Sequence, residues 1–178
     1  MSSEEIYSEL PAMPIADPVA WVGVEVVGLV DAPTSLDIGD LARLSQAKTV
    51  QDFRCHDGWV APAQRWEGVP VSTVLDQARA SVDAKYVNFS CGDFSQTLTL
   101  EEANAPDTLL ALQLNDVPLP QENGGPCRLV AGDRMGPAHV KWVQRIEVTN
   151  SAPDHVARSS LLIRSSLTSN RSLRDTSH

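Results

Sequence analysis

Residues 53–59 read Phe53-Arg54-Cys55-His56-Asp57-Gly58-Trp59, and residues 65–70 read Arg65-Trp66-Glu67-Gly68-Val69-Pro70. The residues from Thr49 to Arg54 are typical of a strand, so Cys55 is predicted at the end of that strand, where a loop begins. Arg54 and His56 place basic side chains on both sides of the sulfur, and positive neighbours favour the thiolate form of a cysteine. A thiolate presented in this way is a suitable ligand for a metal.

Two later segments bear on the same prediction: residues 123–130, Asn-Gly-Gly-Pro-Cys-Arg-Leu-Val, and residues 136–146, Gly-Pro-Ala-His-Val-Lys-Trp-Val-Gln-Arg-Ile. With the two segments above, and in this order, they resemble the molybdopterin-binding oxidoreductase domain. Sulfite oxidase, plant nitrate reductase and the bacterial periplasmic methionine-sulfoxide reductase share this domain. The resemblance runs from about Trp21 to Thr149. It implies the sulfite-oxidase-type α+β fold, in which loops surround a buried molybdenum-molybdopterin cofactor.

The resemblance also implies roles for individual residues. It makes Cys55 the molybdenum ligand and the centre of catalysis, with Arg54 and Trp66 beside the substrate. The cofactor-binding residues that it implies are Cys55, His56, Asn123, Gly125, Arg128, His139 and Lys141. A guanidinium such as that of Arg128 suits a phosphate or an oxyanion, because its planar donors match two oxygens.

Each of these residues also has an ordinary structural interpretation. A free cysteine is most often a small buried hydrophobic residue, and an arginine before an apolar strand is often a surface ion-pair partner. Asn123 precedes two glycines, so it is as easily a turn former. Trp59 and Trp66 are more often packing aromatics than substrate contacts.

The sequence departs from the family pattern at two positions. Phe94 stands where sulfite oxidases carry a tyrosine, and Ala138 stands where many relatives carry a basic residue. A phenyl ring cannot donate a hydrogen bond or relay a proton. Sulfite oxidation is therefore not indicated. The resemblance covers no haem or flavin domain, so a separate electron-transfer protein is expected.

The leading hypothesis is a molybdenum oxidoreductase that moves an oxygen atom to or from a small-molecule substrate. An alternative from another class is a non-catalytic module that binds or carries the cofactor. A third is a metal-free thiol enzyme that uses Cys55 with His56, although adjacent residues on a strand point to opposite faces.

Composition excludes several classes of protein. The net charge of −9 and the pI near 4.8 argue against binding to nucleic acid or to anionic membrane surfaces. Residues 1–20 show no basic cluster or apolar run of a signal peptide, and no later run is long enough for a membrane span, so a cytoplasmic location is expected. The three widely spaced cysteines are unlike a disulfide framework.

The chain is predicted to be one α+β domain with a mixed sheet, over residues 21–150. Residues 1–20 are expected to form an extended arm on the core, and residues 151–178 a flexible tail rich in Ser and Arg. The predicted strands are Val22–Val30, Thr49–Arg54, Tyr86–Ser90, Gln96–Leu100, Leu109–Leu114, Arg128–Ala131 and Val140–Val148. The predicted helices are one from the cap Asp37 to Leu44, one over Val71–Ala80, and a short one after the capping box Thr99-Leu100-Glu101-Glu102.

Overall fold

The structure is a computed structural model that describes residues 5–12, 19–55, 57–132 and 139–152. The strands in these residues are β1 (Glu5–Ile6), β2 (Val24–Gly28), β3 (Thr34–Leu36), β4 (Ala47–Arg54), β5 (Trp59–Pro70), β6 (Tyr86–Cys91), β7 (Phe94–Thr99), β8 (Thr108–Leu114), β9 (Val117–Pro118), β10 (Arg128–Ala131) and β11 (Arg145–Thr149). The helices are α1 (Ile38–Arg43), α2 (Val71–Ala78), α3 (Leu100–Ala103) and a 3₁₀ turn at Gln121–Asn123. None of the described helices is long and apolar enough to cross a membrane.

The strands form two sheets rather than the single mixed sheet that was predicted. One sheet has five strands in the order β3-β2-β11-β6-β7, with β2 and β11 parallel and the other neighbours antiparallel. The other has six strands, in which β5 joins β1, β4 and β8, and β8 also pairs with β9 and β10. Strand β5 is long enough to pair with β4 along most of its length and with β8 at its end. Both sheets contain antiparallel and parallel pairs, as an α+β domain allows.

Two apolar clusters hold the sheets together. The larger one packs the inner faces of β2, β6 and β11 against α2, whose Val71, Val74, Leu75 and Ala78 are buried on one face. The smaller one centres on Phe53 and Trp66 of the six-stranded sheet and includes Leu10 of the amino-terminal arm. In the described part of the amino-terminal segment, β1 pairs with β5 and Leu10 is buried.

The predicted cap at Asp37 and the predicted capping box at Thr99 are both present, and the cap at Asp37 is also a capping box. The Asp37 carboxylate accepts from the N–H of Asp40, and the Asp40 carboxylate accepts from the N–H of Asp37. Thr99 and Glu102 make the same reciprocal pair at the start of α3.

Other boundaries differ from the prediction. The strand predicted over Val140–Val148 is shortened to β11, because residues 139–144 are irregular. The strand predicted over Val22–Val30 is shortened to β2, which ends at Gly28, where φ is positive at 90°. Helix α2 ends at Ala78 rather than Ala80, because Arg79 adopts a left-handed conformation. Strand β5 was not predicted, since two prolines and a glycine interrupt its apolar pattern. The predicted flexible tail lies outside the described residues from 153 onward.

Gly68 is required where β5 lies between β4 and β8, next to the register shift in its pairing with β8. A Cβ atom at this position would overlap the carbonyl oxygen of Leu110 and lie 2.6 Å from the Cα of Ala111. We therefore expect Gly68→Ala to lower the free energy of unfolding by about 3 kcal/mol, because backbone atoms must shift. Urea unfolding measures this change. Gly39→Ala in α1 is the matched control, expected to change it by less than about 1 kcal/mol. Equal effects of the two variants would contradict the role of Gly68.

Candidate functional site

A cavity of about 510 Å³ opens between the two sheets. Its walls come from four parts of the chain: the amino-terminal arm, the end of β4 with the start of β5, the β6–β7 hairpin, and the segment that follows residue 138 together with the start of β10. The lining residues are Leu10, Pro11, Val19, Phe53, Cys55, Asp57, Trp59, Cys91, Phe94, Arg128, His139, Lys141 and Trp142. Most of these side chains are apolar, and the polar ones are few. A concave apolar site with a few polar groups is typical of a ligand or cofactor site.

Cys55 lies immediately after β4, where a short turn returns the chain to β5. Its N–H donates to the carbonyl of Trp59 at 2.9 Å, and the N–H of Gly58 donates to the Cys55 carbonyl at 3.1 Å. Gly58 has a positive φ of 88°, a conformation that favours glycine. The Cys55 thiol lies 3.6 Å from a carboxylate oxygen of Asp57 and is partly exposed. The turn therefore presents the sulfur to the cavity, as the sequence predicted.

Arg128 is the buried cation of the site. Its guanidinium carbon lies 5.0 Å from the centre of the Phe53 ring and 5.4 Å from that of Trp66. One Nη donates to the Asn123 carbonyl at 2.7 Å, while its buried Nε has no hydrogen-bond partner among the described residues. Burial lowers the pKa of Arg128 to about 10, so the side chain is still charged at neutral pH.

His139 lies beside this cation. Its ring contacts Phe53 edge-on at a centroid distance of 5.1 Å, and neither buried ring nitrogen has a partner within hydrogen-bonding geometry. Burial, and then the charge of Arg128, lower the pKa of His139 to about 3, although the nearby backbone of Gly132 opposes the shift. The imidazole is therefore neutral at pH 7 and can offer one N–H donor.

Lys141 adds a third basic side chain. Its Nζ donates to the carbonyl of Glu122 at 2.8 Å and lies 5.5 Å from the ring centre of Trp142. Burial lowers the pKa of Lys141, and repulsion by Arg128 lowers it further. The surroundings of Arg128, His139 and Lys141 thus disfavour the charged form of each side chain.

The arrangement fits an anionic ligand. Within residues 5–12, 19–55, 57–132 and 139–152, no carboxylate pairs with Arg128 or with Lys141, whose Nζ bonds a backbone carbonyl. An unpaired buried charge and unsatisfied buried donors are costly in the folded state. A phosphate in the cavity would place negative charge beside the Arg128 guanidinium and offset the repulsion between Arg128 and Lys141. The donors therefore suit the phosphate end of a pterin, and the Cys55 thiol suits its metal.

The other residues predicted for the site lie elsewhere. Arg54 follows Phe53 on β4, so it points to the opposite face, where it is half exposed and lies 3.7 Å from Asp52. Trp66 is fully buried beneath Arg128 and does not line the cavity, so it supports the cation rather than forming a wall. His56 lies outside the described residues.

Asn123 and Gly125 position backbone segments near the cavity. The Asn123 side-chain amide is buried and donates to the carbonyls of Leu10 and Pro11, each at 3.4 Å. It thus fixes the arm that forms one wall. A Cβ at Gly125 would overlap the carbonyl oxygen of Leu119, so the glycine permits a close approach of two backbone segments. Neither residue lines the cavity.

Several lining residues were not predicted for the site. Cys91 and the arm residues Leu10 and Val19 reach the cavity from elements that are distant from Cys55 in sequence, whereas Asp57 is two residues away from it. No motif surrounds Cys91, and only the fold brings it to the same cavity as Cys55. The third cysteine, Cys127, is fully buried, and burial raises its pKa to about 12.

Three comparisons with known proteins agree with one another. The family described as "oxidoreductase molybdopterin binding domain" matches residues 11–157. The chain is 35% identical over 131 residues to the putative protein-methionine-sulfoxide reductase subunit YedZ1 of Azospira oryzae, covering 73% of this chain and 50% of that protein. It is 31% identical over 157 residues to the protein-methionine-sulfoxide reductase catalytic subunit MsrP of Gluconobacter oxydans, covering 76% and 49%. The chain thus spans about half the length of the curated relatives that it matches.

Among solved structures, the sulfane dehydrogenase SoxCD of Paracoccus pantotrophus superposes with a TM-score of 0.68 at 24% identity. The superposition covers 74% of this chain and 39% of that one.

The buried His139 predicts a pH dependence of stability in the cofactor-free protein. Its folded pKa of about 3 lies below the ordinary value of 6.5, so only the unfolded chain binds a proton as the pH falls below about 6.5. The stability that depends on a neutral His139 is therefore fully present above pH 6.5 and is lost as the pH falls toward 3, by about 1.4 kcal/mol for each pH unit.

Urea unfolding at several pH values measures this effect as the difference between wild type and His139→Gln. We expect the difference to be constant above pH 7 and to change by about 2 kcal/mol between pH 6.5 and pH 5. Parallel pH profiles for the two proteins would show that His139 is not held neutral.

Proposed function

This chain belongs to the family of oxidoreductase molybdopterin-binding domains, and from that premise we propose that it binds a molybdenum-molybdopterin cofactor and catalyses oxygen-atom transfer on a sulfoxide. Its fold is the sulfite-oxidase-type α+β fold that the sequence predicted. The observation that carries the proposal is the cavity itself, in which a partly exposed thiol and an unpaired buried cation line the same space.

Cys55 would hold the metal, because its thiol is a soft ligand that lines the cavity immediately after the end of β4. Arg128 would hold the phosphate of the pterin through its guanidinium, with Lys141 and the neutral His139 beside it. When bound, the cofactor supplies a two-electron redox couple that exchanges an oxygen atom with the substrate.

The chain's own residues favour a neutral sulfur substrate. Phe94, Trp59 and Trp142 make the cavity walls aromatic, and Phe94 is 49% exposed. Sulfur groups make favourable contacts with aromatic rings. Arg54 points away from the cavity, so it adds no charge for an oxyanion such as sulfite.

The curated relatives support the same substrate class, since their names include protein-methionine-sulfoxide reductase. The proposed reaction consumes a sulfoxide, two electrons and two protons, and it yields a thioether and water. The electrons would come from a separate electron-transfer protein. The expected cytoplasmic location stays a prediction, which fractionation of the native host would test.

Replacement of Cys55 tests the metal ligand. In a host that makes the cofactor, we expect the wild-type protein to contain close to one molybdenum per chain. We expect Cys55→Ser either to lose the metal or to reduce sulfoxide at a rate at least about 100-fold lower, because a hydroxyl is a poor substitute for a thiolate. Elemental mass spectrometry and pterin fluorescence measure the loading.

Cys91→Ser is the matched control, since Cys91 lines the same cavity. It should keep both metal and pterin. Equal loading and activity of both serine variants would exclude Cys55 as the ligand. Full loading of the wild type without turnover of any sulfoxide would instead favour a cofactor-binding or carrier module.

Replacement of Arg128 tests the phosphate site, and it should have two opposite effects. Arg128→Met keeps most of the apolar contact with Phe53 and Trp66 but removes the unpaired charge. We expect the cofactor-free variant to be more stable than wild type by about 1–4 kcal/mol, because a buried unpaired cation is costly. Its pterin content should fall at least about tenfold.

Thermal unfolding of the cofactor-free proteins and pterin release from the loaded ones measure the two effects. Arg65→Met is the control, because Arg65 is exposed and pairs with Asp116. A cofactor-free Arg128→Met protein that is less stable than wild type, yet binds the pterin fully, would show that Arg128 is a structural residue.

A further inference from the structure

Strand β7 is the outer strand of the five-stranded sheet. In the part of the chain that the structure describes, it pairs with β6 and with no other strand. All six of its residues are paired with β6 in one continuous register, from Phe94 opposite Cys91 to Thr99 opposite Tyr86. The edge is therefore about 20 Å long at the usual rise per residue.

This edge lacks the features that usually prevent an outer strand from pairing. Such strands are normally short, charged, bulged or broken by proline. Among the other outer strands described, β3 has three residues, β1 and β9 have two each, and β10 has four and carries Arg128. Strand β4 is longer but carries Lys48 and Asp52 and has a register shift. Strand β7 reads Phe-Ser-Gln-Thr-Leu-Thr, with no charge, no proline and no shift. It is thus suited to accept another extended chain.

The backbone groups that face outward can be identified. The N–H of Leu100 donates to the carbonyl of Lys85, on the side of β6, while the N–H of Thr99 donates to the Glu102 carboxylate. Backbone groups of successive strand residues point alternately to the two sides. Ser95 and Thr97 therefore point outward as Thr99 does, without the cap that Thr99 has.

The open edge is continuous with the cavity. Strand β7 begins at Phe94, which follows the tight Gly92–Asp93 turn and lines the cavity that contains Cys55. A segment laid along β7 would run to the mouth of that cavity, and its residue nearest Phe94 would stand beside the opening. The docking edge and the site thus form one surface.

We propose that β7 binds an extended segment of a protein substrate, which adds to the sheet as a further strand through the backbone of Ser95 and Thr97. The segment delivers one oxidised methionine side chain past Phe94 into the cavity. The strand contacts the backbone of the segment and not the side chains beside the oxidised methionine, so the protein accepts methionine sulfoxide in many sequences. The inference rests on the proposed function, because it assigns the form in which the sulfoxide arrives.

The test uses the cofactor-loaded, full-length chain and a labelled ten-residue peptide with one central methionine sulfoxide. Thr97→Pro removes the outward N–H, at a position where an edge strand tolerates proline. We expect the peptide to bind about tenfold more weakly by fluorescence anisotropy, and its kcat/KM to fall by the same factor through KM. The kcat/KM for free methionine sulfoxide should stay within about twofold, since that molecule does not reach β7.

Two controls separate docking from damage to the fold. Thr97→Val keeps the backbone N–H and should bind the peptide as wild type does. A peptide methylated on the backbone nitrogens that would pair with β7 should lose about tenfold in affinity for the wild-type protein. This second probe needs no variant, so it decides the question even if Thr97→Pro does not fold.

The outcomes are distinguishable. Peptide affinity that is insensitive to both Thr97→Pro and backbone methylation would overturn the docking edge, whether or not sulfoxides are reduced. A dimer that Thr97→Pro dissociates without a change in peptide affinity would also overturn it, because a second copy would then occupy the edge. Peptide binding that depends on Thr97, in a protein that reduces no sulfoxide, would support the edge and reject the proposed substrate.

Discussion

The buried guanidinium of Arg128 is the constraint on which the site depends. The fold removes this cation from water and places it against Phe53 and Trp66, and among the described residues it supplies the carbonyl of Asn123 but no carboxylate. Aromatic faces offset part of the cost of burial, but a hydrogen-bond donor stays unsatisfied. Such an arrangement is stable enough to fold and is improved by a ligand that carries negative charge.

The rest of the architecture places a sulfur atom at a defined position relative to that cation. Strand β4 carries Phe53 against the guanidinium and ends at Arg54, immediately before Cys55, so one strand positions both a contact of the buried cation and the proposed metal ligand. The amino-terminal arm closes one wall because Asn123 binds its carbonyls. The β6–β7 hairpin lines another wall, and its strand β7 has the sheet edge that is proposed for substrate docking.

The parts that sequence could predict are those that local chemistry determines. Two capping boxes, the buried face of α2 and the position of Cys55 at a strand end follow from neighbouring residues. Long-range contacts could not be predicted, since Cys91 and Leu10 meet Cys55 only after two sheets have formed. Arg54 was assigned to the site by its nearness to Cys55, but strand alternation turns it to the other face. Trp66 is essential in a different way, beneath the cation.

A crystal structure of the cofactor-loaded protein tests the central claim most directly, because it shows both ends of the cavity at once. The account predicts a pterin phosphate oxygen within hydrogen-bonding distance of the Arg128 guanidinium, with the molybdenum bonded to the Cys55 sulfur. It would be contradicted by a cofactor that lies outside this cavity. A cofactor bound through Cys55 while Arg128 stays without an anionic partner would contradict the role given to the buried cation.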